Sequence, residues 1–324
     1  MSQVAVEDAQ LERFRGELIG YCYRMLGSAS EAEDAVQETL VRAWRAADRF
    51  EGRSALRSWL YRIATNVCLD MVGASQRRAR PMALSPVWSA LDSPEEPLPE
   101  TIWIGPIPDN RMIRDDSDPA ELAVARETIR LAFIAALQHL APRQRAVLIL
   151  REVLNFSAAE VAEQLDTTVT SVNSALQRAR ATLAAADIAD TDTLRLTDQA
   201  QRELLARYVD AFERYDIDSL AAMLHEEVVL SMPPLRMWLR GPAEVRTWML
   251  GTGNGCRGSW LVPTVANGTP AFGQYRPSGP GGRHEPWALI VLEISGGRIR
   301  GINSFLDTAT LFPLFGLEPI LDTR

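Results

Sequence analysis

The sequence contains no lysine, and its 34 basic residues are all arginine. Acidic residues number 42, so the net charge at pH 7 is −8. This balance argues against a protein that coats nucleic acid indiscriminately, but it does not exclude local basic faces. One such face is indicated between residues 42 and 80, where nine arginines stand against three acidic residues.

Cysteine is also scarce. Cys22, Cys68 and Cys256 lie far apart and form neither a C-x-x-C pair nor a Cys/His cluster. This spacing excludes a disulfide framework and a zinc site, and it predicts three buried thiols and no metal or other cofactor. The chain also lacks a long apolar run and a signal peptide, so we expect a cytoplasmic protein that does not enter a membrane.

With 324 residues, 47% of them hydrophobic, the chain is long enough for two or three domains. Proline marks a boundary within it. Seven prolines and eight acidic residues fall between residues 81 and 118, which predicts a largely extended, acidic linker rather than a helix or sheet. Trp88 and Trp103 are unusual for a disordered spacer, so we expect both to dock on a folded surface.

Two helices joined by a polar loop are predicted between residues 30 and 70. Ser30 and Glu33 form an S-x-x-E capping-box pattern, which marks a helix start. The apolar residues that follow at helical spacing predict one core-facing stripe: Val36, Leu40, Ala43, Trp44 and Ala47. The second helix has its own apolar stripe: Leu56, Leu60, Ile63 and Val67. Charged faces on such helices are commonly just solvated, so the pattern alone assigns no function.

A later helical segment contains a helix-turn-helix pattern. Ser157 and Glu160 form a capping box, and a short turn after Leu165 leads into the helix VTSVNSALQRARATL. A plain three-helix core would explain much of this pattern. The second helix, however, carries side chains that suit base edges and phosphates. These are Ser171, Asn173, Ser174, Gln177, Arg178 and Arg180.

Beyond residue 197 the apolar period changes from helical to strand-like. An amphipathic helix is predicted around residues 204–212, and strands follow it. Two hairpin turns are indicated, one at Asn267-Gly268 and the other at Ser295-Gly296-Gly297. Helices followed by an antiparallel sheet predict an α+β domain.

The first helix pair resembles the promoter-melting domain of bacterial sigma factors of the extracytoplasmic-function group. The resemblance rests on EAEDAVQETLVRAW followed by RF-x-G-x-S-x-x-x-x-WLYRIA-x-N. The segment LAPRQRAVLILREVLNFSAAEVAEQL and the helix after it resemble the −35-reading domain of the same group. HEEVVLSMPP, LVPTVANGTPAF and FLDTATLFPLFGL resemble a SnoaL-like cone that is fused to some members.

The resemblance implies a multidomain fold, with two all-α DNA-reading domains, the second containing a helix-turn-helix, and a C-terminal α+β SnoaL-like cone. We place the promoter-melting and core-binding domain at residues 1–80 and the acidic linker at 81–118. The helix-turn-helix domain then covers 119–187, and the cone covers 197–324.

The resemblance also implies roles for individual residues. Three polar residues of the first helix would bind core RNA polymerase, a partner contacted through its β and β′ subunits: Asp34, Gln37 and Glu38. The loop and second helix would capture the single-stranded −10 element: Arg53, Ser54, Arg57, Arg62 and Asn66. The −35 element would be read by Arg143, Ser171, Asn173, Ser174, Gln177, Arg178 and Arg180. Many relatives carry a basic residue where Asn173 and Ala175 stand here, so no promoter sequence is carried over.

The cone implies a regulatory module rather than an enzyme, because no nucleophile–base motif, metal spacing or phosphate loop is present. Candidates for a small-molecule pocket in it are Tyr208, His225, Trp238, Trp260 and Asp307. We therefore predict a sigma factor that binds core polymerase and promoter DNA and catalyses no reaction itself. The alternatives are a small-molecule cyclase or isomerase fused to a DNA-binding regulator, and an ordinary helix-turn-helix regulator. The existence of an anti-sigma partner stays open.

Overall fold

The computed structural model describes residues 8–47, 50, 55–74, 77–93, 96–112, 124–185, 191–194, 198–278 and 282–322. The chain forms two compact units, and each is built from two separate stretches. The first unit comprises Met1–Arg78 and Asp109–Ile188, and the second comprises Ala79–Pro108 and Ala189–Arg324. The segment predicted as a linker therefore belongs mostly to the C-terminal unit.

Four helices build the N-terminal part of the first unit: α1 (Asp8–Glu12), α2 (Arg15–Leu26), α3 (Ala29–Arg45) and α4 (Leu56–Ala74). Helix α2 ends at Gly27, whose φ of 74° suits a residue without a Cβ. The hydroxyl of Ser28 then accepts the amide of Glu31 at 3.4 Å and caps α3. The cap is thus Ser28 and not the predicted Ser30, which lies exposed inside the helix.

Helices α2, α3 and α4 bury a shared core. The hydroxyls of Tyr21 and Thr65 are hydrogen-bonded at 2.7 Å. The Tyr21 ring packs edge-on against Tyr61, with ring centres 5.3 Å apart. Val36 is fully buried, as predicted from its spacing. Trp44 was predicted on the same stripe, and this is wrong, because its side chain is 62% exposed.

The rest of the first unit contains α5 (Leu131–Leu137), α6 (Pro142–Leu148), α7 (Ala158–Gln164) and α8 (Val169–Ala185). A π-helical turn, Ile149–Val153, extends α6. The predicted helix start at residues 118–121 lies outside the described residues. Buried Arg145 donates to the carbonyls of Met25, Gln138 and Leu140, which ties α6 to the end of α2. Burial lowers the pKa of Arg145 to about 10.

A six-stranded sheet organises the second unit. Its strands are β1 (Leu224–Ser231), β2 (Trp238–Arg240), β3 (Trp260–Ala266), β4 (Thr269–Pro277), β5 (His284–Ser295) and β6 (Arg298–Phe305). Their order is β2-β1-β6-β5-β4-β3, and β1 pairs with β6 in parallel while the other neighbours are antiparallel. Both predicted hairpins are confirmed. Asn267 and Gly268 have φ of 55° and 70°, and Gly296 and Gly297 have 56° and 74°.

The two faces of the sheet are covered by different elements. Helices α9 (Gln199–Glu213), α10 (Ile217–Ala222) and α11 (Pro242–Leu250) form one core with the inward-facing strand residues. Helix α12 (Thr308–Leu314) packs on β5 at the other face. There Phe312 meets Tyr275 edge-on at 5.1 Å. A Cβ on Gly273 would lie 2.8 Å from Leu317 Cδ1, so a larger residue there would require the Leu317 side chain to shift.

The segment from Ala79 to Pro108 is folded onto this sheet. Trp88 packs against the hydrophobic core of the unit, and Trp103 is 2% exposed. Ile107 exchanges two hydrogen bonds with Asn267 at the β3–β4 turn, at 3.0 and 3.1 Å. The expectation that its tryptophans dock on a folded surface is confirmed. The segment is thus part of the C-terminal fold and not a free spacer.

Candidate polymerase and promoter interfaces

Helix α3 presents an uncovered polar face. Its capped start fixes the register, so Asp34, Gln37 and Glu38 all point away from the buried side and are exposed. Arg42 donates to Glu38 at 2.7 Å, one turn along the helix. Such exposed pairs contribute little to stability, so Glu38 remains available to a partner.

Sequence reasoning missed Trp44 on this face. It follows Gln37 by seven residues, which is two helical turns, and so extends the same exposed side. Tryptophan is enriched among the residues that contribute most of the binding energy in protein–protein interfaces. The seven-residue spacing from Gln37 indicates the exposed face. The four-residue spacing from Leu40 equally indicates the buried face, and that spacing led to the core prediction.

Helix α4 carries the residues predicted for the single-stranded DNA face. Arg62 and Asn66 are exposed, one turn apart. Arg57 is partly buried, because it binds Glu17 at 3.0 Å and lies 4.7 Å above the Phe156 ring. Arg53 and Ser54 lie outside the described residues.

Two aromatic residues border this face. Trp59 is partly buried and packs on Phe50, with ring centres 5.0 Å apart. The helix thus brings Arg62 and Asn66 to one exposed side, with an aromatic pair beside the loop that precedes it.

Helices α7 and α8 form the predicted helix-turn-helix. Both hydrogen bonds of the predicted capping box are present: the Ser157 hydroxyl accepts the Glu160 amide, and the Glu160 carboxylate accepts the Ser157 amide. These hydrogen bonds lower the pKa of Glu160. The two helices pack through buried apolar side chains: Val161, Val172 and Leu176. The turn between them contains Asp166 at φ 50°, and Thr168 accepts the amide of Ser171 at 3.1 Å.

Six of the seven predicted −35 residues lie on α8, and Arg143 lies on α6. The exposed ones are Arg143, Ser171, Asn173, Gln177, Arg178 and Arg180, and Ser174 is half-buried. Arg180 pairs with Glu152 at 2.6 Å, but both side chains are solvated. Helix α8 can therefore offer hydroxyl, amide and guanidinium donors to a DNA groove without exposing its core.

A cavity lies between the helices and the sheet in the second unit. Phe212, Trp248 and Ile290 are among its apolar walls, and Tyr208 and Gln274 bring polar groups into it. Burial raises the pKa of Tyr208, so its hydroxyl stays protonated and can donate. The volume of this cavity is about 30 Å³.

Of the five residues predicted for a pocket, the structure places only Tyr208 at this cavity. Nδ1 of His225 accepts a backbone amide in β1 at 3.0 Å, and the Trp238 indole donates to a linker carbonyl at 3.0 Å. Trp260 stacks on His284 at 3.6 Å, and Asp307 caps α12. These four residues thus make contacts within the fold away from this cavity.

Three protein families match the chain in succession. Sigma-70 region 2 matches residues 11–78, Sigma-70 region 4 matches residues 130–183, and the SnoaL-like domain matches residues 205–302. An α-helical region 2 followed by a helix-turn-helix region 4 defines a promoter-recognising transcription initiation factor.

Relatives extend this similarity over nearly the whole chain. The ECF RNA polymerase sigma factor SigG of Mycobacterium tuberculosis (strain H37Rv) is 43% identical over 320 residues, which cover 97% of this chain and 84% of SigG. SigJ of the same strain is 27% identical over 252 residues, which cover 76% of this chain and 73% of SigJ. The SigJ crystal structure matches with a TM-score of 0.62 at 23% identity, covering 96% of this chain and 100% of that one, which shows a shared fold. This chain belongs to the ECF RNA polymerase sigma factors.

The predicted fold class and function are confirmed. The protein is a transcription initiation factor that works with core RNA polymerase and promoter DNA, and it carries a C-terminal SnoaL-like domain. Its relatives are sigma factors and not enzymes, which sets aside the cyclase or isomerase alternative. None of the described helices is long and apolar enough to cross a bilayer.

Proposed function

We propose that this sigma factor acts in the cytoplasm and divides its work among three helix faces. Helix α3 docks on the clamp of core polymerase, within a contact shared by the β and β′ subunits. Helix α4 and the loop before it hold the opened −10 strand, and α8 reads the −35 element. The observation that carries this proposal is that three polar faces stay exposed, each on a well-anchored helix.

The α3 face has the chemistry of a polymerase dock. Asp34 and Glu38 supply negative charge, Gln37 supplies an amide, and Trp44 supplies apolar area for a desolvated centre. We expect Glu38→Arg to leave the melting temperature unchanged and to abolish co-purification with core polymerase. Glu226→Arg, the same charge reversal at an exposed glutamate of the C-terminal unit, is the matched control. Undiminished co-purification of Glu38→Arg would contradict the assignment.

The α4 face suits a single strand because it combines a guanidinium with an amide. Arg62 can neutralise a phosphate, and Asn66 can hydrogen-bond an unpaired base. Arg57 binds Glu17 through Nε and lies over Phe156, but its side chain keeps 36% of its surface, so the guanidinium can still meet a phosphate. Arg53 and Ser54 belong to the same proposal on sequence grounds.

The α8 face suits duplex DNA. Asn173, Ser174, Gln177 and Arg178 are the base-edge candidates. Ser171 lies in the first turn of α8, where helix N-terminal amides favour a phosphate. Arg143 and Arg180 are assigned to the DNA backbone.

The C-terminal domain is proposed to receive a small molecule and to control when the rest of the protein engages DNA. The support is a partly apolar cavity and the linker packed on the same sheet. Deletion of residues 197–324 should then change promoter binding or transcription. Identical promoter binding and transcription by the deleted and full-length proteins, under every condition tried, would contradict this role.

Run-off transcription with purified core polymerase tests the whole assignment. We expect promoter-specific initiation only when the full chain is added to core. An ordinary helix-turn-helix regulator would bind the duplex without conferring initiation, and that result would refute the proposed use of the three faces.

A further inference from the structure

The first turn of helix α8 presents two β-branched side chains to which no role has been assigned. Val169 begins the helix, and Thr170 follows it. Both residues are exposed, and Val169 keeps 43% of its surface. Exposed methyl groups thus lie at the end of α8 that a helix-turn-helix directs toward base edges.

Thr170 lies on the side of α8 opposite its buried residues. Because an α-helix turns by about 100° per residue, Thr170 is about 160–180° around the axis from buried Val172 and Ala179. Ser174 and Gln177 come one and two turns after Thr170, within about 40° of it around the axis. Thr170 therefore begins the outward row of side chains that contains two of the proposed base contacts.

The hydroxyls on either side of Thr170 are used to start the helix. The Thr168 hydroxyl accepts the Ser171 amide at 3.1 Å and donates to the Ser171 hydroxyl at 2.9 Å. Among the described residues, the Thr170 side chain forms no hydrogen bond with another residue. Its methyl and hydroxyl groups are therefore both available to a partner.

The major groove offers one apolar feature to such a side chain. Its base edges otherwise present hydrogen-bond donors and acceptors, and only thymine adds a C5 methyl group. Small apolar groups, including the threonine methyl, recognise thymine through this methyl. Serine would supply the same hydroxyl without the methyl. The chemistry of Thr170, with Val169 beside it, therefore suits an A·T pair whose thymine lies at the contact.

We propose that Thr170 selects a thymine in the −35 element by packing its γ-methyl against the C5 methyl of that base, with Val169 flanking the contact. The inference rests on the −35 role proposed above for α8, to which it adds one residue and one base. Burial of one methylene-sized group corresponds to about fourfold in affinity at 25 °C, so replacing this thymine by uracil should weaken binding about fourfold.

Site selection followed by methyl removal tests this contact in the complete initiation complex. Holoenzyme made from core polymerase and the full chain selects binding sites from duplex DNA that is randomised across both promoter elements. The selected −35 element should contain a thymine, and uracil at one thymine position should weaken wild-type binding about fourfold. Thr170→Ser should bind the thymine and uracil DNAs alike, whereas Thr170→Val, which keeps the methyl, should retain the wild-type ratio. Thr310→Ser, at an exposed threonine of the C-terminal unit, is the control and should behave like the wild type.

The contrary results differ in what they overturn. A selected −35 element without thymine, or equal affinity for thymine and uracil at every position, would overturn the inference and leave the −35 role of α8 in place. A thymine preference that persists in Thr170→Ser would assign the methyl contact to another residue, and one lost in Thr170→Val would assign recognition to the hydroxyl; both results overturn the inference. If no −35 preference is selected, the inference and the −35 role fail together, whereas co-purification still tests the core-polymerase assignment.

Discussion

We expect the contact between Arg80 and the sheet to hold the first part of the linker in place. The Arg80 guanidinium lies 3.2 Å from a carboxylate oxygen of Glu293 and donates to the side-chain oxygen of Asn303 at 2.9 Å. Removing one member of a buried pair costs ~3–5 kcal/mol, because the other charge is left unpaired. The Arg80 and Glu293 side chains keep 15% and 10% of their surface, so we expect about 2–3 kcal/mol for Arg80→Ala.

Native-state hydrogen exchange measures this loss of stability at the backbone amides next to Arg80. The amide of Ala79 donates to the Ile102 carbonyl at 2.8 Å, and the amide of Ile104 donates to the Ala79 carbonyl at 3.2 Å. If Arg80 holds the segment down, Arg80→Ala should speed exchange at both amides by roughly 30- to 150-fold.

A matched substitution in the same unit provides the control. Arg283 lies 3.8 Å from Asp322, and their side chains are 66% and 88% exposed, so Arg283→Ala should change exchange by less than about fivefold. Wild-type protection of Ala79 and Ile104 in Arg80→Ala would refute the reasoning, since the linker would then be held without this pair.

Trp44→Ala should weaken binding to core polymerase at least tenfold in a fluorescence titration, with an unchanged melting temperature because the side chain is exposed; equal affinity would remove Trp44 from the interface. Arg178→Ala should lose ~1–3 kcal/mol of discrimination at one −35 base pair, and full footprint protection would argue against a base contact. Gly273→Ala should lower the free energy of unfolding by ~1–3 kcal/mol through overlap with Leu317. Adding Leu317→Ala should recover part of that loss, and no recovery would place the strain elsewhere.

The sequence predicted the helices and hairpins best where local chemistry decides them. The Ser157 capping box and the Asn267-Gly268 turn depend on a few neighbouring residues, and both are present. Local pattern was insufficient where two assignments fit equally. Ser28 and Ser30 could each cap α3, and Trp44 shares one helical spacing with the core and another with the exposed face.

Long-range packing was beyond the sequence. Proline and acidic residues predicted an extended segment, and its described residues up to 112 contain only short 3₁₀ turns. Nothing local indicated that Arg80 pairs with a carboxylate more than 200 positions away, at Glu293. The lining of the cavity depends on long-range packing for the same reason. Tyr208 lies on a predicted amphipathic helix, whereas the Gln274 side of the cavity depends on how two strands face that helix.

The position of Ile107 has a consequence for how the protein is made. The chain leaves the second unit after Ile107, which is hydrogen-bonded to Asn267. It returns near Leu194, whose amide donates to the Gly268 carbonyl at 2.8 Å. The exit and the return therefore lie at the same hairpin turn. The intervening residues are therefore inserted into the domain as a loop would be. During translation, the linker emerges long before strands β1 to β6 exist to receive it. At the usual ~5–20 residues per second, the roughly 200 residues that follow take about 10–40 s to synthesise. Each newly made molecule thus passes through a period in which regions 2 and 4 are complete and the linker is still undocked.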